Sequence, residues 1–243
     1  MKGVILAGGL GTRLFPLTKI TNKHLLPIYN KPMIFYPIQT LVDAGIRDLL
    51  IVTGGNNSGD FIRLLANGRS FGLPHLNYTY QDGEGGIADA LRLAEHFAAG
   101  EKFVVMLGDN LVEKSIRHGV AAFRRQKTGA RLYLKEVPNP QDYGVAEMRG
   151  NRIARIVEKP KRPKTNLAVV GIYMYDAGVF DIIRTLKPSR RGELEITDVN
   201  NAYIRRGQIQ YDILDGWWAD AGASHQRLLE TGIQVARQQG LKL

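Results

Sequence analysis

The sequence predicts an α/β fold: a mostly parallel mixed sheet with helices on both faces and a small antiparallel portion toward the C-terminus. Three observations carry that prediction. Short apolar runs at residues 2–7, 48–53 and 103–107 read as strands buried on both faces. Each is followed, after a loop, by a stretch with helical spacing that closes on a glycine, an Asn-Gly pair or a basic last turn. Beyond about Gly129 the rhythm changes to alternation of apolar and polar residues, the mark of antiparallel strands with one wet face.

Taken in order, residues 2–7 form the first strand, and residues 32–44 an apolar helix stopped by Gly45. Residues 48–53 are a strand, 60–66 a helix, 76–80 a strand and 87–99 a helix ended by Gly100. Residues 103–107 are the third fully apolar strand, with a helix over 116–127. In the second half, 131–137, 145–148 and 153–157 alternate, with Gly150-Asn151 as a turn between the last two. Residues 168–175 return to an apolar strand. Helices are expected over 178–186 and 197–206, a last strand over 209–214, and a closing helix to about Gln239 with Ser224 as its N-cap. No repeat or linker divides the chain, so residues 1–243 are expected to form one domain, its halves about 1–128 and 129–243 sharing one sheet.

Composition narrows the class of function. The 243 residues are 44% hydrophobic and 23% charged, an ordinary globular balance. No apolar run approaches the roughly 18 residues of a membrane span, and the first strand begins too early for a signal peptide, so a cytoplasmic protein with no membrane partner is expected. The absence of cysteine excludes disulfides, thiolate metal sites and cysteine nucleophiles. The net charge of +10 raises nucleic-acid binding, but the basic residues are scattered and no nucleic-acid motif accompanies them. Small phosphorylated substrates account for the excess without nucleic acid. The histidines show no metal-ligand spacing, and no Ser-His-Asp set is suggested.

The first strand runs straight into Gly8-Gly9-Leu10-Gly11-Thr12-Arg13. Glycines there let the backbone approach a bulky anion and turn amide hydrogens toward it. Arg13 adds a fork of donors suited to phosphate oxygens, and Lys23 a second positive charge ten residues on. The loop is not a P-loop, since no Lys-Ser or Lys-Thr follows. Nor is it a dinucleotide fingerprint, because Leu14 stands where the last glycine would be. What remains is a triphosphate cradle, or a tight turn with no ligand.

Ligands of parallel sheets gather beyond the carboxyl ends of the strands, and three further blocks lie there. Gln81 to Ala88 follows a strand and opens a helix; its glycines could admit a flat base, and Gln81 offers its edge one donor and one acceptor. Asp109, in Leu107-Gly108-Asp109-Asn110, could hold a hard cation over a phosphate, and Asp220, in Trp217-Trp218-Ala219-Asp220, is the best-placed second carboxylate. Glu158 and Lys159 could take sugar hydroxyls and a sugar phosphate, or be a plain surface charge pair.

The stretch from Leu6 to Leu14, with Lys23-His24-Leu25-Leu26-Pro27, resembles the signature of the sugar-1-phosphate nucleotidyltransferases, and later blocks extend the resemblance over nearly the whole chain. It implies a Rossmann-like sheet, a nucleotide-binding half and a sugar-phosphate-binding half. It implies transfer of a nucleotidyl group, with dTTP as donor and glucose 1-phosphate as acceptor, toward dTDP-glucose and dTDP-rhamnose. UTP, CTP or another sugar, and a sugar-nucleotide sensor without turnover, stay open. Arg13 and Lys23 would be the catalytic cations. Leu6, Gly8, Gly9, Gly11, Thr12, Arg13, Gln81 and Gly86 would bind the nucleotide. Asn110, Gly144, Glu158, Lys159, Val169, Tyr173, Arg191 and Trp218 would face the sugar phosphate, and Asp109 and Asp220 would share Mg²⁺. Glu193, Glu195 and Asp198 are expected to be structural. Two departures stand out: Asp89 replaces a usual Gln, and Ala223 a usual Thr. Longer relatives continue past the closing helix, so a homo-oligomer with weakened or absent feedback is expected.

Overall fold

The computed structural model describes residues 1–55 and 57–241. The first half supplies β1 (Lys2–Ala7), a two-strand hairpin of β2 (Pro27–Ile28) and β3 (Lys31–Pro32), α1 (Phe35–Asp43), β4 (Leu49–Gly54) and α2 (Ser58–Leu65). It continues with β5 (Leu76–Gln81), α3 (Ile87–Arg92), α4 (Glu95–Ala98), β6 (Phe103–Leu107), β7 (Asn110–Val112) and α5 (Arg117–Arg125). The second half adds β8 (Ala130–Glu136), β9 (Gly144–Arg149), β10 (Arg152–Glu158), β11 (Leu167–Tyr175), α6 (Gly178–Thr185) and α7 (Ile196–Arg205). Strands β12 (Ile209–Ile213) and β13 (Trp218–Asp220) and helix α8 (His225–Gln238) complete it.

Strands β5, β4, β1 and β6 lie side by side and parallel, with Leu6 opposite Val52 on one side and Leu107 on the other. Antiparallel β11 joins β6 on one side and β8 on the other, and β12 pairs parallel with β8. One sheet therefore runs through both halves. The β9–β10 hairpin attaches to the start of β11 through Val145 and Ala168, and β7 and β13 form a separate two-stranded ribbon.

Period-2 alternation in the parallel strands sends neighbours to opposite faces, both dry. Val4 and Leu6 pack in a core with α3, α6 and α7, through Leu91, Ile183 and Tyr203 among others. Ile5 and Ala7 pack in a second core with α1, α2 and α5, through Leu41, Phe61 and Phe123. Burying a side chain such as Ile5, fully covered here, contributes roughly 1.5–3 kcal/mol. The closing helix starts as expected: Ser224 accepts from the backbone N–H of Arg227 at 3.2 Å.

Two expectations change. The helix over 87–99 is broken after Arg92, where Leu93 and Ala94 donate to carbonyls three residues back, which tightens the chain. Strand β8 has no wet face: Leu132 and Leu134 enter one core and Tyr133 the other. The polar residue that made it look alternating, Arg131, is half-buried and paired with Asp212 of β12, a partner 81 positions away.

Candidate active site

The loops that leave the carboxyl ends of β1, β5 and β6 face β9, β10, β11 and β13 across a cleft of about 600 Å³. Every site residue expected from the sequence lines it, from Leu6 and the glycine loop on one wall to Lys159, Tyr173 and Arg191 on the other.

The glycine loop is held open by its own backbone. Gly9 and Gly11 adopt φ of +88° and +64°, left-handed values that glycine takes without strain. A Cβ on Gly11 would press on Thr18 and Lys23, both 3.1 Å away. Thr18 ties the loop through its hydroxyl, which donates to the Gly11 carbonyl at 2.8 Å. Buried Leu14 anchors the turn that follows, leaving Thr12 and Arg13 exposed at the cleft. The amide of Leu10 donates to Glu84 Oε1 at 2.8 Å, so a carboxylate from the loop after β5 sits where the sequence predicts an anion.

Lys23 is positioned by a residue that motif reading passed over. Asn22 caps the short Lys23–Leu25 turn: its Oδ1 accepts from the His24 N–H at 2.9 Å, and its Nδ2 donates to the Ala7 carbonyl at 3.3 Å. The turn is thereby bonded to the end of β1. His24 Nδ1 lies 2.7 Å from the same Asn22 Oδ1, which can only accept, so that nitrogen carries the proton. Burial, helped by the charge of Lys23, lowers the His24 pKa to about 3 and keeps the ring neutral.

Gly108 leaves β6 beside the glycine loop, its N–H donating to the Leu6 carbonyl at 2.9 Å. Asp109 then meets Lys23, with Nζ 2.5 Å from Oδ2, while Oδ1 accepts from Asn110 at 3.1 Å. Burial alone would push the Asp109 carboxyl up; the charge of Lys23 and the hydrogen bonds from Lys23 and Asn110 outweigh it and hold Asp109 well below the usual carboxylate range. Asp220 pairs with Asn110 in the β7–β13 ribbon, and the Ala221 N–H donates to the Asp109 carbonyl at 2.9 Å, so the two aspartates are neighbours. Asp220 Oδ1 is sealed from solvent and, among the described residues, has no hydrogen-bond partner. Burial first, and the Asp109 charge second, raise the Asp220 pKa to about 6. An orphaned carboxylate oxygen beside a second carboxylate suits a hard divalent cation, so this pair fits a metal with one or two protein oxygens and further ligands from water and phosphate. Among the described residues no larger His, Cys, Asp and Glu cluster competes with it.

On the opposite wall, Asn110 Oδ1 accepts from the Gly171 N–H at 3.0 Å and from Trp218 Nε1 at 2.7 Å. Gly171 was missed in the sequence, although a glycine inside an apolar strand signals close approach. A Cβ there would lie 2.6 Å from Asn110 Oδ1, and the β8–β11 register shifts between Val169 and Tyr173. Trp218 packs on Tyr143 with ring centroids 5.0 Å apart. Glu158 is oriented by Thr197, whose hydroxyl donates to Oε2 at 2.6 Å. Lys159 is exposed and has φ +43°, a conformation that costs a non-glycine residue of order 1 kcal/mol and points to a functional constraint. Arg191 reaches the cleft already paired with Glu195, 2.7 Å away. Glu195 thus holds Arg191 in place, but Glu193 and Glu195, expected to be structural, both line the cleft as well. Asp198 does not line the cleft.

A mostly parallel sheet with a glycine cradle, a cation-ready pair of aspartates and a facing polar wall defines a nucleotide-handling enzyme of the nucleotidyltransferase class. The chain belongs to the nucleotidyl transferase family, whose model matches residues 2–238. A glucose-1-phosphate thymidylyltransferase of an Actinoplanes strain is 42% identical over 254 residues, covering 100% of this chain and 82% of that protein. Its counterpart in Neisseria meningitidis is 41% identical over 100% of this chain and 85% of its own length. Among solved structures, a Bacillus anthracis protein described as a glucose-1-phosphate thymidylyltransferase, crystallised with sucrose, superposes with a TM-score of 0.93 at 46% identity. That likeness covers 100% of this chain and 97% of the other. A UDP-glucose pyrophosphorylase in complex with UDP-glucose superposes with a TM-score of 0.85 at 26% identity, covering 98% of each chain. Among the described residues no helix is long and apolar enough to cross a membrane.

Proposed function

We propose that the protein transfers a deoxythymidylyl group from dTTP to glucose 1-phosphate, giving dTDP-glucose and pyrophosphate. The carrying observation is the sealed, unpartnered oxygen of Asp220 beside the Lys23–Asp109 pair, within one cleft that also holds the glycine loop and Lys159. Two adjacent carboxylates facing a triphosphate would repel it unless a cation lay between. The names and full-length similarity of the relatives support the choice of substrates.

In this reading a phosphate oxygen of glucose 1-phosphate attacks the α-phosphorus of dTTP. The bond from that phosphorus to the β-phosphate oxygen breaks, and its electron pair leaves with pyrophosphate. The nucleophile is already an anion, so no general base is needed, and the neutral His24 is not asked to be one. Catalysis reduces to in-line positioning and charge neutralisation. The glycine loop amides and Arg13 hold the departing pyrophosphate, and Lys23 exchanges Asp109 for a phosphate oxygen. Glu158, fixed by Thr197, accepts from sugar hydroxyls, and Lys159 with Arg191 meets the sugar phosphate. Asp109 and Asp220 would hold Mg²⁺, which when bound offsets negative charge on the phosphates. A homo-oligomer in the cytoplasm belongs to the same proposal, with light scattering as the check on assembly.

The test is pyrophosphate release, coupled to pyrophosphatase, with glucose 1-phosphate and each of dTTP, UTP, CTP, ATP and GTP. Turnover of dTTP is expected, with CTP and purines poor. Binding without turnover would replace the enzyme by a sugar-nucleotide sensor. UTP is the second reading, favoured by the likeness to the UDP-glucose pyrophosphorylase and by the identical hydrogen-bonding edges of uracil and thymine.

A further inference from the structure

We propose that Asp89 sets the base preference of the nucleotide site by locking the Gln81 amide with its carbonyl oxygen toward the base. The inference rests on the reading of Gln81 as the residue that meets the base. Gln81 is buried at the end of β5, with only 5% of its surface exposed, and it lines the cleft. A free glutamine presents one donor and one acceptor, and the two are exchanged by a flip of the amide. Here both hydrogens of Nε2 are spent inside the protein, one on Asp89 Oδ2 at 2.9 Å and one on the Gly86 carbonyl at 3.3 Å.

The flip is blocked by the chemistry of the partner. A carboxylate can only accept, so turning the amide would set Gln81 Oε1 against Asp89 Oδ2, two acceptors in a shielded site. Asp89 is itself held: its other oxygen accepts from Arg92 at 2.8 Å, one helical turn on. Its side chain is 15% exposed, and a Cβ on Gly85 would lie 2.5 Å from Oδ2, so nothing but glycine leaves the carboxylate room. With Nε2 committed, Oε1 is what Gln81 offers a ligand. That oxygen faces Gly8, where a Cβ would stand only 2.9 Å from it, and among the described residues no group donates to it.

An acceptor fixed in this place selects a base that brings a donor. Thymine and uracil carry N3–H on the edge that meets it, whereas cytosine carries a bare N3 acceptor. In this chain an Asn at position 89 could accept from Gln81 Nε2 or donate to Gln81 Oε1, so it would no longer hold the amide in one orientation. Asp89 is thus a positioning residue that turns an ambiguous glutamine into a reader of the pyrimidine imide.

The test compares kcat/KM for dTTP with that for CTP, glucose 1-phosphate being saturating, in the parent protein, Asp89→Asn, Asp89→Ala and Gln81→Ala. Asp89→Asn is nearly isosteric, and circular dichroism confirms that each variant is folded. In Asp89→Asn the dTTP-to-CTP ratio is expected to fall at least about tenfold, the scale of one hydrogen bond to a fixed partner. The KM for glucose 1-phosphate should stay within about twofold, which a general loosening of the cleft would not allow. Asp89→Ala should relax the ratio at least as far. An unchanged ratio in both Asp89 variants, with Gln81→Ala relaxed, overturns the role of Asp89 and leaves Gln81 as base reader. An unchanged ratio in Gln81→Ala as well removes Gln81 from the base site, and the proposal with it.

Discussion

Two ion pairs lie largely shielded from solvent, one between β8 and β12 and one beyond the carboxyl end of β6, and they end differently. Arg131, at the start of β8, grips both oxygens of Asp212 at 2.6 Å and gives a third hydrogen bond to Gln210 at 2.7 Å. Both carboxylate oxygens and the three donor nitrogens of the fork have partners, so the pair is closed. Lys23 and Asp109, beyond the carboxyl end of β6, are as near, but a second carboxylate stands beside them with an oxygen that nothing satisfies. Two negative groups against one cation leave a deficit of positive charge at the cleft. A closed pair belongs to the architecture, whereas an unbalanced one is prepared for something absent from the chain.

Breaking the closed pair should give the largest effect, and on stability alone. Arg131→Ala leaves Asp212 without its partner and is expected to cost about 3–5 kcal/mol in urea unfolding, with turnover per folded molecule unchanged. A stability loss under 1 kcal/mol would show that the pair is not what holds β8 to β12.

The open pair should behave in reverse. Asp109→Asn and Asp220→Asn are each expected to lower turnover at least about a hundredfold, or roughly 2.7 kcal/mol. EDTA should stop the parent enzyme and Mg²⁺ restore it. Near-normal activity in either variant at saturating Mg²⁺ would remove that aspartate from the metal. The unfolding midpoint sharpens the point. Asp220 has a folded pKa of about 6, above the 3.8 of a free carboxyl, so its protonation favours the folded state. Its contribution is most favourable near pH 4 and is lost as pH rises through 6. In EDTA, Asp220→Asn should therefore melt above the parent at pH 8, the gap closing near pH 4. A variant that melts lower at pH 8 would mean the carboxylate is satisfied after all.

Lys159 offers a smaller perturbation of the same imbalance, because it is exposed and, among the described residues, makes no ion pair. Lys159→Ala should raise the KM for glucose 1-phosphate by roughly 10- to 150-fold, the span of a charge-assisted contact to phosphate, and that for dTTP far less. Equal effects on both substrates would place it elsewhere. The smallest effect is expected at Glu84, whose carboxylate occupies the Leu10 amide of the glycine loop. Glu84→Gln should lower the KM for dTTP by about twofold, as expected when a solvent-screened charge competing for the site is removed. A raised KM would make Glu84 a support of the loop, not a competitor.

Much of the site was legible because motifs carry their local geometry with them. The spacing of Gly8, Gly9 and Gly11 after an apolar run predicted a strand turning into an anion cradle, and Arg13, Lys23, Asp109 and Asp220 all reach the same cleft. Residues that act by holding others were harder to see. Asn22, Gly171 and Thr197 look like ordinary turn, strand and helix residues, and their roles arise from contacts with Ala7, Asn110 and Glu158. The misreading of β8 has the same origin, since alternation reports polarity, while burial depends on whether a partner such as Asp212 arrives from elsewhere.

By itself the sequence determined the succession of strands and helices, the buried central strands and the places where chemistry-bearing loops leave the sheet. These follow from side-chain period, glycine conformation and capping, all of which act within a few residues of the chain. Only the tertiary structure decided how the charges balance: that Lys23 goes to Asp109, that Asp220 is left with an orphaned oxygen, and that Asp89 pins the amide of Gln81. Hydrogen bonds and burial of that kind join residues brought together by the packing of separate loops. Their strength comes from the exclusion of water, which no single stretch of sequence can bring about alone.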